Sequence, residues 1–210
     1  MRPLFPLSSL LERLSSEQPV EPLLAVANHW RGALFPLDRA KAAVERLSDA
    51  AAAARKEELS NPSALYAIQA AADSLTDVLA GVYPAIRDGR ERLYGAAQFW
   101  GLPVPRTSGT ATADALSGHS RAELYADLKS AASSVLSDLK GMDRAGKDCL
   151  DKLYAAARTP PKDSSERKEV LDAAIDFRDA ANNLFLHALT LLRRAHELVV
   201  PTAGDRWAAP

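Results

Sequence analysis

Seven basic side chains, Arg144, Lys147, Lys152, Arg158, Lys162, Arg167 and Lys168, crowd into one stretch of the chain, interrupted by Gly146 and by Thr159-Pro160-Pro161. Asp143, Asp148, Asp151, Asp163 and Glu166 are interleaved with them. Two chemistries fit this pattern. Clustered cations can hold phosphates, whereas the same alternation of sign also describes a solvated connection between helices. Nothing comparable points to catalysis. The four histidines, His29, His119, His187 and His196, form neither an HExxH motif nor a Glu-x-x-His pair, so a metal centre of the helical-bundle kind lacks its ligands. No glycine-rich phosphate loop is present. His187 and His196 fall on an apolar helical pattern and read as structural, as does Cys149. The expectation is a chain with no catalytic residues, no metal and no cofactor.

The elements that carry these residues read as helices throughout. The longest runs from Ser164 to about Val200, where Val170, Ala174, Phe177, Ala181, Leu184, Ala188, Leu191, Ala195 and Leu198 recur at steps of four and three, the spacing of one buried seam. Leu171, Ile175, Phe185, Leu189 and Leu192 make a second apolar face, which predicts a central position in a bundle. Arg178, Asn182 and Asn183 interrupt these faces and need partners if buried.

At 210 residues the chain is long enough for one large domain, and 47% hydrophobic with 25% charged residues places it among globular proteins. A formal net charge of -1 excludes a generally basic nucleic-acid binder but leaves room for a local basic patch. A lone cysteine excludes an internal disulfide framework. No apolar run approaches a membrane span and no leader pattern is visible, so a soluble protein without membrane contact is expected.

Residues 1–18, rich in Pro, Ser and Leu, are expected to form a flexible arm, and residues 201–210 a flexible tail. Between them, residues 19–200 make the helical domain. Glu21 and Pro22 open a first helix that Gly32 and Pro36 close. Asp38 is placed to cap a second, with Ala40, Val44 and Leu47 inward, and the alanines 50–54 prolong it. Asn61 and Pro62 start a third, which Pro84 is expected to kink or end, followed by another helical piece to Trp100. Gly101 to His119 reads as an exposed loop. Ser120 and Glu123 form a capping box ahead of Leu124, Leu128, Val135 and Leu139, and Gly141 and Gly146 are expected to loosen the chain beyond Leu139. The core is assigned to Leu128, Val135, Leu139, Val170, Phe177, Ala181 and Leu184.

Three colinear stretches carry a family resemblance. KEVLDAAIDFRDAANNL, Lys168 to Leu184, has a basic residue before Val170, then Asp172, Arg178 and the Asn182-Asn183 pair. EPLLAVANHW and DRAKAAVERL, within Glu21 to Leu47, and LKGMDRAGKDCLDKL, Leu139 to Leu153, match in order around it. Together they resemble the coat proteins of rigid rod-shaped plant RNA viruses of the tobacco mosaic virus type, in which the first resembles the RNA-lining helix. The resemblance implies an all-α, up-and-down four-helix bundle with an additional helical and loop insertion at about 60–119. It implies a structural coat protein that assembles with many copies of itself around single-stranded RNA, located in the virion and the host cell cytoplasm. The implied RNA contacts are Arg39, Lys41, Arg46, Arg144, Lys147, Arg167, Lys168, Asp172 and Arg178, with Asp148 and Asp151 as carboxylates facing neighbouring subunits. DSLTDVLAGVYPAIRDGRERL, Asp73 to Leu93, also resembles the family's third helix and would move the phosphate ligands to Arg87, Arg90 and Arg92. The arms would both lie at the outside of the rod. The alternative reading is a helical adaptor that binds protein and no nucleic acid.

Overall fold

A computed structural model describes residues 20–56, 62–104 and 121–200. Within them the chain forms five helices, α1 (Val20–Leu34), α2 (Leu37–Lys56), α3 (Pro62–Phe99), α4 (Arg121–Arg158) and α5 (Ser164–Val199), and no strand. The arm, the tail, the Ser120 cap and most of the loop before it lie outside the described residues.

Only two residues, Phe35 and Pro36, separate α1 from α2, and the Ala40 amide donates to the Pro36 carbonyl, so the two helices follow one another as a single broken arm. Asp38 thus sits inside the first turn of α2 rather than capping it. Both segments pack on α3 and on α4, and α5 packs on α4 and α3. The result is a four-armed bundle with α1–α2 diagonal to α5 and α3 diagonal to α4.

Its topology differs from an up-and-down order. Trp30 meets Ile86 and Gly89, while Arg46 meets Ser74 farther along, so α3 runs antiparallel to the first arm. Leu34 meets Gly146 and Arg55 lies over Tyr125, so α4 is antiparallel to that arm as well. Tyr83 meets Phe185 while Tyr94 meets Arg178, and Asp138 meets His187 while Asp127 meets Arg194, so α5 is antiparallel to both α3 and α4. All packed neighbours are antiparallel, and α3 and α4 are parallel. The end of α3 and the start of α4 therefore lie at opposite ends of the bundle, one crossover apart.

Several expectations need correction here. The segment counted as an insertion supplies, as α3, an entire arm with Ile68, Leu75, Val82, Ile86 and Leu93 buried. Pro84 lies inside that helix without ending it. Its ring faces solvent, and the buried Val82 and Ile86 on either side hold the helix to the bundle. Gly141 and Gly146 likewise leave α4 unbroken, because Gly146 permits a close approach: an added Cβ would lie 2.6 Å from Leu34 Cδ2 and 3.0 Å from Phe177 Cε2. In α5 the first seam is buried from Val170 to Leu198, but on the second face Leu189 is 62% exposed and Phe185 half-buried, so α5 is a peripheral arm rather than a central one. The α5 N-terminus is capped by Asp163, whose carboxylate accepts from the Glu166 amide at 2.9 Å. Finally, Val20 and Val200 lie at opposite ends of the described bundle.

At the centre Trp30, Phe177, Leu128, Val135, Leu139, Ala181 and Leu184 are buried, which includes every residue the seam analysis assigned to the core together with Val170. No helix among the described residues is long and apolar enough to cross a membrane.

Candidate nucleic-acid interface

The basic residues assigned to RNA fall into three groups. Arg144 and Lys147 lie on the outer face of α4, exposed, at the level where Gly146 meets Phe177. Arg167, half-buried, and Lys168, exposed, lie in the first turns of α5, beside the α4–α5 turn, with Lys162 in that turn and Lys152 and Arg158 in the last turns of α4. Asp172 is exposed one turn farther on. These residues share the half of the bundle closed by that turn. Arg39 and Arg46 belong elsewhere. They line a groove between the first arm and α3, where Arg46 Nη2 donates to Ser74 Oγ at 3.2 Å. Lys41 points from the same helix and pairs with Glu45 at 3.8 Å.

Electrostatically the α4 cluster is largely self-neutralised. Lys147 Nζ donates to Asp143 at 2.6 Å and Lys152 pairs with Asp148 at 3.3 Å, each one turn away on the same helix. Such exposed pairs contribute only about 0.3–0.5 kcal/mol and exchange readily for a phosphate. Asp148 and Asp151 both face solvent, so their carboxylates are accessible to a neighbouring molecule.

Arg178 is the clear exception to the expected set. It is 2% exposed, with Nη2 donating to Asp179 at 2.8 Å, and the Tyr94 hydroxyl of α3 is a further partner. Burial opposes its charge, but the Asp179 carboxylate and Tyr94 outweigh it, so the guanidinium is held charged above its ordinary value. Arg178 is a tie between α5 and α3 rather than a phosphate ligand. The spacing of α5 could have signalled this, since position 178 adjoins Phe177 and Ala181 on the buried arc. The alternative ligands are also engaged: Arg87 with Asp88 at 2.9 Å and Arg90 with Glu91 at 3.5 Å, while Arg92 is exposed beside Glu21.

Three features carried no sequence signal. His187 Nδ1 meets Asp138 at 2.5 Å across α4 and α5, and the 8% exposed Arg194 bridges Asp127 and Glu197 below it. Arg90 buries its Nε with no hydrogen-bond partner among the described residues. The Cys149 thiol is fully buried, and burial pushes its pKa up, followed by the negative field of Asp148. Among the described residues no group of His, Cys, Asp and Glu side chains could hold a metal ion.

Asn182 is half-buried and Asn183 exposed, outside the basic half. No protein-family model, curated protein or solved structure matches the chain.

Proposed function

We propose that this chain is a structural coat protein whose four-armed bundle assembles helically, with many copies of itself, around single-stranded RNA. The observation that carries the reading is the gathering of Arg144, Lys147, Arg167 and Lys168 in the half of an elongated bundle closed by the α4–α5 turn. A rod needs only its RNA-facing end to be basic, because each subunit neutralises a few phosphates while its flanks meet other subunits. The flanks are suited to that role, with Tyr83 and Leu189 exposed along the α3–α5 side and Tyr66 near the opposite end. Within the tobacco mosaic virus type, the RNA contacts reduce to those four cations with Asp172 beside them. Phosphate binding without base readout is the expected mode.

A second reading is favoured by one observation. Lys147 and Lys152 already have acidic partners on their own helix, as a solvated adaptor surface would. Negative-stain microscopy of the purified chain mixed with single-stranded RNA separates the two. Hollow rods that protect RNA from nuclease support the coat, and monomers that leave the RNA digestible overturn it.

A further inference from the structure

The first arm and α3 leave an open groove of about 840 Å³ between them, and its two walls carry opposite charge. Arg39 and Arg46 stand on the α2 wall along one helical stripe, and Asp73 and Asp77, one turn apart, stand on the α3 wall. All four are exposed. No ion pair joins the walls among the described residues: Arg46 donates to Ser74, and Asp73 accepts from Gln69 on its own helix. Between the charges the floor is bare, since a Cβ added to Gly32 or Gly81 would meet nothing within 4 Å. Phe35 rises from the same edge 86% exposed. Arginines, aspartates and one large aromatic set out in this way fit a protein surface that carries the same charges in the opposite order.

We propose that this surface is the same groove of a second copy, so that two chains pair side by side about a two-fold axis parallel to the bundle. The first arm of each copy then lies on α3 of the other, with both bundles pointing the same way. The levels match. Arg46 bonds to Ser74 across the groove and Trp30 to Ile86, so Asp73 is level with Arg46, Asp77 lies within about one turn of Arg39, and Gly81 falls between Arg39 and Phe35. Face to face, Arg46 of each copy comes opposite the partner's Asp73, Arg39 opposite the partner's Asp77, and the Phe35 ring over the bare backbone at the partner's Gly81. The two-fold makes each of these contacts twice. The charges also choose the direction. With the second copy reversed, first arm would face first arm and α3 would face α3, which sets arginine on arginine and aspartate on aspartate. The pair is closed and uses none of the cations proposed for RNA, so it does not depend on the coat reading.

Sedimentation equilibrium of the full-length chain without RNA, at low salt and over a range of concentrations, tests the pairing. The wild type should move between the mass of one chain and that of two, and added salt should favour the monomer. Arg39→Asp with Arg46→Asp makes both walls acidic, and Asp73→Arg with Asp77→Arg makes both basic, so each variant alone should pair at least about tenfold more weakly. An equal mixture of the two should pair again, because each first arm then meets an α3 of opposite sign. Phe35→Ala probes the aromatic contact separately and should weaken pairing about tenfold. Circular dichroism should give all variants the same helix content, as every changed side chain is exposed. A wild type that stays monomeric at about 0.1 mM overturns the proposal. So does an assembly of any size that forms equally in the charge variants, or a mixture of folded variants that fails to recover pairing.

Discussion

The edge of Trp30 meets the ring of Phe177 at a centroid distance of 4.9 Å and an angle of 68°, joining the first arm to the diagonally opposite α5 across the bundle centre. The indole is fixed from its other side as well, since Nε1 donates to the Ile86 carbonyl at 3.3 Å and the ring lies against Gly89. Three arms therefore share one aromatic contact.

Phe177→Ala should cost about 3–5 kcal/mol, because the ring is fully buried and its cavity cannot be refilled by the neighbouring backbone. Gly89→Ala should cost about 1–3 kcal/mol from overpacking, as the new methyl would fall inside the indole ring's contact distance. Urea unfolding of both variants checks this. A loss well under 1 kcal/mol for Phe177→Ala would mean that the register of α5 is wrong.

Gly141→Ala and Gly146→Ala, five positions apart on α4, should have opposite signs. At Gly141 an added Cβ meets nothing within 4 Å, so alanine should stabilise the helix by about 0.5–1 kcal/mol. At Gly146 it meets Leu34 and Phe177, and the same substitution should destabilise by about 1–3 kcal/mol. Thermal melts of the pair decide whether α4 and α1 approach as closely as described.

The connection between α3 and α4 should tolerate lengthening but not much shortening. A helix of 38 residues such as α4 is about 57 Å long, and the chain from Phe99 to Arg121 extends at most about 75 Å. Removing about ten residues from 105–120 leaves about 42 Å, too little to bridge opposite ends of the bundle. An exposed loop, as Gly101 to His119 reads in the sequence, would tolerate shortening; the parallel relation of α3 and α4 predicts a misfolded protein instead. Circular dichroism melts of the shortened chain, beside one lengthened by Gly-Ser repeats, distinguish these outcomes.

Cys149 should be inert toward a disulfide reagent such as Ellman's in the folded protein and titrate fully in guanidinium. Burial both blocks access and raises the thiol pKa, which suppresses the reactive thiolate. Rapid labelling under native conditions would show that α4 opens locally around Cys149.

For the coat reading, Lys147→Glu with Lys168→Glu should abolish RNA incorporation while leaving the fold intact, since both side chains are exposed. Asp148→Asn with Asp151→Asn should let RNA-free rods form at protein concentrations where the wild type stays disassembled, because the amides remove like-charge repulsion between subunits. Light scattering against protein concentration, with nucleic-acid absorbance of the pellet, measures both effects, and an unchanged critical concentration in the Asn variant rules this out.

The sequence by itself determined the helices and the inward face of α5, because a seam from Val170 to Leu198 can be satisfied only by a helix buried along that line. It also marked the Ser164 start of α5 and the Pro36 break, which depend on local backbone chemistry. It could not say that Pro84, Gly141 and Gly146 are tolerated inside helices. Local propensity disfavours all three, and tertiary burial on adjoining turns outweighs it. Nor could it name the partner of a buried cation: the spacing of α5 puts Arg178 beside Phe177 and Ala181, but only the structure sets it in the α3–α5 seam beside Tyr94 and turns Lys168 to water. The direction of α4 relative to α3 was equally invisible, since a helix has the same apolar stripe whichever way it runs, and only contacts such as Leu34 with Gly146 distinguish the two.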